Sequence, residues 1–91
     1  MPRVTITNNT KDANSALPNG VKLEITAGSA QPVSVGVGLA QTFVVGRNEV
    51  IRIKPTNTMM QQVNYTQLDG NDRALSIIPA DRDAAFGVRI A

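Results

Sequence analysis

The chain has 91 residues, nine Lys and Arg against seven Asp and Glu, and a net charge of +2, which leaves room for one small domain and no strong electrostatic field. It contains no histidine and no cysteine. Those are the side chains most used for proton transfer near neutral pH, thiol chemistry and transition-metal binding, so disulfides, cysteine-based zinc sites and histidine-based catalysis are excluded.

The apolar inventory points to sheet. Ten Val and seven Ile stand against five Leu, and eight Thr add to the β-branched set. Branching at Cβ stiffens the side chain and suits a pleated surface better than a helix. A single domain over residues 1–91 is expected to bury only ~60–65% of its unfolded surface. That limited core favours association with copies of itself or with a protein partner.

In chain order, Arg3 to Thr7 reads as a first strand with Val4 and Ile6 inward. Asn8 to Gly20 is polar and rich in turn residues, closing on Leu17-Pro18-Asn19-Gly20. Val21 to Thr26 alternates most clearly, with Val21, Leu23 and Ile25 on the buried side. Pro32 opens a third strand that the alternation carries from Val33 to Gly38. Its other face holds Ser34, Gly36 and Gly38, which would make a flat, unprotected contact surface.

Leu39 to Val45 continues as extended chain. Gly46-Arg47-Asn48 reads as a tight turn, so Thr42–Val45 and Glu49–Ile53 are expected to form a hairpin. Pro55 ends the second arm, and Met59-Met60 is expected to make a satellite contact. Gln61 to Leu68 is a further strand with Val63 and Tyr65 on one face. Asp69 to Asp72 is a turn, and Ala74 to Ile78 is a short apolar strand closed by Pro79. Ala80 to Ala85 suits one helical turn, and Phe86, Val88 and Ile90 point inward from a last strand. The expected fold is therefore all-β, a single small antiparallel β-sandwich or barrel of seven or eight short strands.

No catalytic constellation is complete. Asp81 and Asp83 would share a strand face as paired carboxylates, but Arg82 lies between them and a solvated turn explains all three. Asp69 and Asn71 match the first two ligand positions of a calcium loop. Arg73 and Ala80 occupy positions where that loop needs oxygen ligands, so no EF-hand forms and no metal or cofactor is expected. Serines at 15, 29, 34 and 76 have no histidine to activate them, and the expectation is a protein without enzymatic activity. Gly36-Val37-Gly38 lacks the third glycine and lysine of a phosphate loop.

Lys22, Arg52, Lys54 and Arg89 sit singly on polar strand faces, and the aromatics are limited to Phe43, Tyr65 and Phe86. Nucleic-acid binding needs a clustered patch or a stacking platform, so neither form is expected. No apolar run suits a membrane span and no secretion signal opens the sequence, which points to assembly in a cytoplasm. What remains is contact through edges and outer faces. Thr5, Thr7, Ser34, Thr42 and Asn64 are polar outer-face candidates for pairing with other chains. Arg3, Val33, Val35, Val37, Phe43 and Arg89 are nominated as protein-contact residues.

Val4-Thr5-Ile6-Thr7-Asn8-Asn9-Thr10 followed by Leu17-Pro18-Asn19-Gly20-Val21 is a strand, a polar Asn/Thr loop and a Gly-started strand. In that arrangement, over about the first 55 residues, the chain resembles the small all-β accessory proteins of tailed-bacteriophage virions. The resemblance is one of style and transfers no functional residue. It implies a capsid-decorating, neck or tail module that binds a symmetric protein scaffold in many copies, located in the virion and assembled in the host cytoplasm. The alternative is a small soluble inhibitor or binding module acting on a host or bacterial protein. That role usually carries a cluster of hot-spot aromatics or charge, which this sequence does not concentrate.

Overall fold

The structure is a computed structural model that describes residues 2–15, 17–56, 60–80 and 87–91. Its eight strands are β1 (Arg3–Asn8), β2 (Leu23–Ala27), β3 (Val33–Val35), β4 (Ala40–Val44), β5 (Val50–Pro55), β6 (Val63–Thr66), β7 (Arg73–Pro79) and β8 (Val88–Ile90). Among the described residues there is no helix. The strands form two four-stranded sheets, ordered β4-β1-β7-β8 and β3-β2-β5-β6. Among the described residues no strand pairing joins the two sheets, so they are not closed into a barrel and the structure is sandwich-like.

The alternation read from the sequence is the reason the sheets meet. β1 turns Val4 and Ile6 inward, β2 turns Leu23 and Ile25, and β5 turns Ile51 and Ile53, all with no exposed surface. Ile77 from β7 and Val45 are equally buried, and Leu17, Ala27, Val35, Phe43, Met60 and Val88 join them in one apolar cluster drawn from both sheets. Each fully buried aliphatic side chain contributes roughly 1.5–3 kcal/mol of transfer free energy. One core serves both sheets.

Four expectations need correction. The expected antiparallel order fails at one place, because β1 pairs parallel with β7, from Val4 opposite Arg73 to Asn8 opposite Ile77. A parallel neighbour requires a long crossover, and here all of β2 to β6 lies between the two strands.

The expected hairpin of Thr42–Val45 with Glu49–Ile53 does not form. β4 pairs with β1, whereas β5 pairs with β2 and β6, so the Gly46–Glu49 turn carries the chain from one sheet to the other. That turn is closed by the Glu49 N–H on the Gly46 carbonyl (3.2 Å), by the Gly46 N–H on Glu49 Oε1 (2.6 Å), and by Asn48 at a φ of 68°.

The third strand is shorter than its alternation suggests. β3 stops at Val35, and Gly36 to Leu39 form a turn in which the Leu39 N–H donates to the Gly36 carbonyl (3.1 Å). Gly38 sits there at a φ of +80°, a left-handed conformation that L side chains rarely adopt. Ser34, Gly36 and Gly38 therefore share no strand face. The first two strands, the turn at Asp69 to Asp72 and the inward pair Val88 and Ile90 match expectation, as does the common side of Val63 and Tyr65. The helical turn expected at Ala80 to Ala85 and the inward Phe86 fall on residues 81–86, outside the described residues, as does Met59.

The fourth correction concerns the segment from Asn8, expected to be polar and turn-rich throughout, whose first residue belongs to β1. Asn8 and Thr10 are completely buried. Asn8 Nδ2 donates to the carbonyls of Val21 (2.9 Å) and Val35 (3.0 Å), which lead into β2 and end β3. Its Oδ1 accepts from the Thr10 N–H (3.2 Å) and hydroxyl (2.7 Å), and Thr10 Oγ1 accepts from the Val21 N–H (2.9 Å). Asn8 belongs to one sheet and its acceptors to the other, so this side chain clasps the two sheets together. Every polar atom of the Asn8 amide has a partner, which is the condition for stable polar burial.

Candidate contact face and edge

The two outer faces differ in chemistry. In the sheet that contains β2 and β5, Glu24 faces Lys54, Thr26 faces Arg52, and Arg52 faces Asn64 across neighbouring strands. Opposite charges in register support a sheet modestly and hold water at its surface. In the other sheet, the register puts Thr42, Thr5 and Ala74 in one row and Ala40, Thr7 and Ser76 in the next. Thr5 Oγ1 and Thr42 Oγ1 are 2.9 Å apart and hydrogen-bonded. Asn9 Nδ2 donates to Ser76 Oγ (2.6 Å) beside them. These rows hold small, uncharged side chains.

Two arginines stand at opposite corners of this face. Arg3 opens β1 beside Val44, and Arg89 lies on β8 beside Ile78. Both are exposed. Next to Arg89 is a shallow groove of about 400 Å³ whose lining includes Lys11, Asp12, Ser15, Ile78 and Pro79. The charged groups of this side therefore gather at its ends and leave the middle neutral.

β4 is the outer strand of the neutral face, and four of its five residues are exposed. It carries no charge and no proline, the usual means of blunting a free edge. Val44 is 57% exposed, and Leu39, just before the strand, is 61% exposed. The other three edges are shorter or polar: β3 and β8 have three residues each, and β6 reads Val63-Asn64-Tyr65-Thr66. β4 is the least protected edge among the described strands.

The nominated contact residues do not gather into one patch. Val35 and Phe43 are 2% and 7% exposed and belong to the core, so neither offers a surface for a partner. Their apolar character reflects the inner face on which they lie. Val33 is half-buried against the core from β3, and Val37 is exposed in the Gly36–Leu39 turn. Arg3 and Arg89 do share a face. Thr5, Thr7 and Thr42 come together on that face as well, while Ser34 and Asn64 lie on the charged sheet. Ala40, Ala74, Ser76 and Ile78 were not singled out as contact residues in the sequence, because only the β1–β4 and β1–β7 registers place them there.

At the opposite end from Asn8, Gln67 is the matching buried amide. Its Nε2 donates to the Asn71 carbonyl (2.6 Å), and its backbone N–H donates to the Glu49 carbonyl (3.0 Å). Its Oε1 is buried without a hydrogen-bond partner among the described residues. Beside it, Asp69 accepts from the Asn71 N–H (3.1 Å) and pairs with Arg73. The Asn71 N–H first, and the Arg73 guanidinium second, hold the Asp69 carboxyl below its usual value. Both carboxylate oxygens are thus engaged, which leaves this turn poorly suited to calcium. Among the described residues no cluster of three or more acidic or other metal-binding side chains occurs, and no helix is long and apolar enough to cross a membrane.

The geometry defines an all-β protein of two four-stranded sheets, one with charges across its central strands and one with its outer charges, Arg3 and Arg89, confined to the corners. No protein-family model, no curated protein and no solved structure matches this chain.

Proposed function

We propose that this protein is a non-enzymatic structural module, a small β-sandwich that binds a protein scaffold in multiple copies through the outer face of the β4-β1-β7-β8 sheet. The observation that carries this reading is the contrast between that face and its counterpart. One sheet carries Glu24, Arg52 and Lys54 across its central β2–β5 pair, whereas the other carries its outer charges, Arg3 and Arg89, at the corners and leaves β4 and the middle rows uncharged. The rows Thr42–Thr5–Ala74 and Ala40–Thr7–Ser76 offer a partner flat contact with little desolvation of charge. Arg3 and Arg89 at the corners would set orientation as rim charges. The contact surface of one copy is small, so stable attachment comes from repetition over a symmetric scaffold.

The resemblance to accessory proteins of tailed-phage virions gives that scaffold an identity, a capsid, neck or tail surface assembled in the host cytoplasm. Gradient-banded particles, produced with and without the protein, test the reading. The protein is expected to band with the particles at a fixed ratio, and an Ala74→Glu variant that stays folded is expected to be lost from the band. Protein found only in the soluble fraction would contradict it.

A further inference from the structure

We infer that two copies of this chain pair through β4, edge to edge and antiparallel about a two-fold axis at Thr42. The inference takes the contact reading of this side of the molecule as its basis and names one partner, a second copy. Its argument is the backbone. The Asn8 N–H donates to the Leu39 carbonyl (2.9 Å), and the Val45 N–H donates to the Pro2 carbonyl (3.2 Å). With the register between them, these bonds turn the backbone groups of Gln41 and Phe43 toward β1. The N–H and C=O groups of Ala40, Thr42 and Val44 consequently face outward from the free edge.

Those three residues are spaced symmetrically about Thr42. An antiparallel second copy sets Thr42 opposite its own counterpart, Ala40 opposite Val44, and Val44 opposite Ala40. Each facing pair then exchanges two hydrogen bonds, and every outward group of β4 is satisfied. A different sequence would need its partner's edge to match; here the matching edge is supplied by the chain itself. The side chains agree with the register. Exposed Val44 meets the small Ala40 of the second copy, and the two Thr42 side chains meet on the neutral face. No charged residue lies on β4, so no like charges oppose across the axis. The two β4-β1-β7-β8 sheets become one continuous sheet, with their neutral faces on the same side.

The test is light scattering and amide hydrogen exchange on the isolated full chain over a concentration series. The expected mass rises from one copy toward two. With it, the amides of Ala40, Thr42 and Val44 slow, while those of Gln41 and Phe43, already bonded to β1, change little. Thr42→Pro removes an outward N–H without touching the β1 ladder, and Thr42→Lys sets two cations across the axis. Both variants are expected to stay folded by circular dichroism and to remain single copies. A mass that stays at one copy at every concentration overturns the inference, as does dimerisation that leaves the three outward amides fast or survives both variants. Such a failure with particle banding intact removes the pairing alone; loss of banding with pairing intact removes the scaffold reading alone.

Discussion

The two sheets are built on the same inner rule and opposite outer rules. Inside, Ile6 and Ile77 on one sheet and Ile25, Ile51 and Ile53 on the other are interchangeable in kind and fully buried. Outside, one sheet carries Glu24, Arg52 and Lys54 across its central strands, and the other carries Thr5, Thr7, Ala40, Thr42, Ala74 and Ser76 in its middle with Arg3 and Arg89 at its corners. Core packing explains why the sheets stack and says nothing about the outer faces. The difference between those faces is therefore the best guide to what the fold is for.

Variants break or sharpen this comparison in order of size. Ile6→Ala and Ile53→Ala remove buried volume from opposite sheets of one core, and each is expected to cost about 3–4 kcal/mol in chemical denaturation. A large inequality between them would mean that the sheets do not share the core equally. Asn8→Ala is expected to cost about 2–3 kcal/mol, because the Val21 and Val35 carbonyls lose the Asn8 amide, and the Thr10 N–H loses its acceptor, where the sheets are clasped. The Val21 carbonyl keeps only the Thr10 hydroxyl. Gln67→Met at the other end is expected to stay within about 1 kcal/mol of the parent, since it also removes an unpartnered buried oxygen. Equal costs at the two amides would contradict the asymmetry between the ends.

Smaller effects separate the faces. Glu24→Lys places a cation opposite Lys54 and is expected to lower stability by about 0.5 kcal/mol, an effect that shrinks with added salt. Asp69→Asn gives the smallest change. The folded-state pKa of Asp69 is depressed, so its contribution is present above the unfolded carboxylate range and lost as pH falls through the folded value. Melting curves of parent and variant should accordingly converge at acid pH and separate slightly at neutral pH.

Much of this architecture was legible from periodicity. The strands from Arg3, Leu23 and Val50 show unbroken alternation, and pleating converts alternation directly into inner and outer faces. Pairing was less legible, because it depends on residues far apart in the chain. The turn at Gly46–Glu49 has the local chemistry of a hairpin, yet its arms enter different sheets, and no residue in the turn records that choice. β1 and β7 are adjacent only through the whole of the intervening chain, so Ala74 and Ser76 could not be placed beside Thr5 and Thr7. Asn8 and Thr10 were read as part of a polar, turn-rich segment; their burial follows from the Val21 and Val35 backbone groups, which only the fold brings to them. Val35 and Phe43 were nominated for contact for the converse reason, since apolar character on a strand does not reveal which face a second sheet covers.

The most direct measurement compares matched charges on the two outer faces. Ala74→Glu and Asn64→Glu each add one carboxylate to an exposed strand position, one per sheet, and both are expected to change stability by less than about 0.5 kcal/mol. Banding with particles should be lost for Ala74→Glu and retained for Asn64→Glu. Loss in both, or in neither, would contradict the assignment of contact to the neutral face.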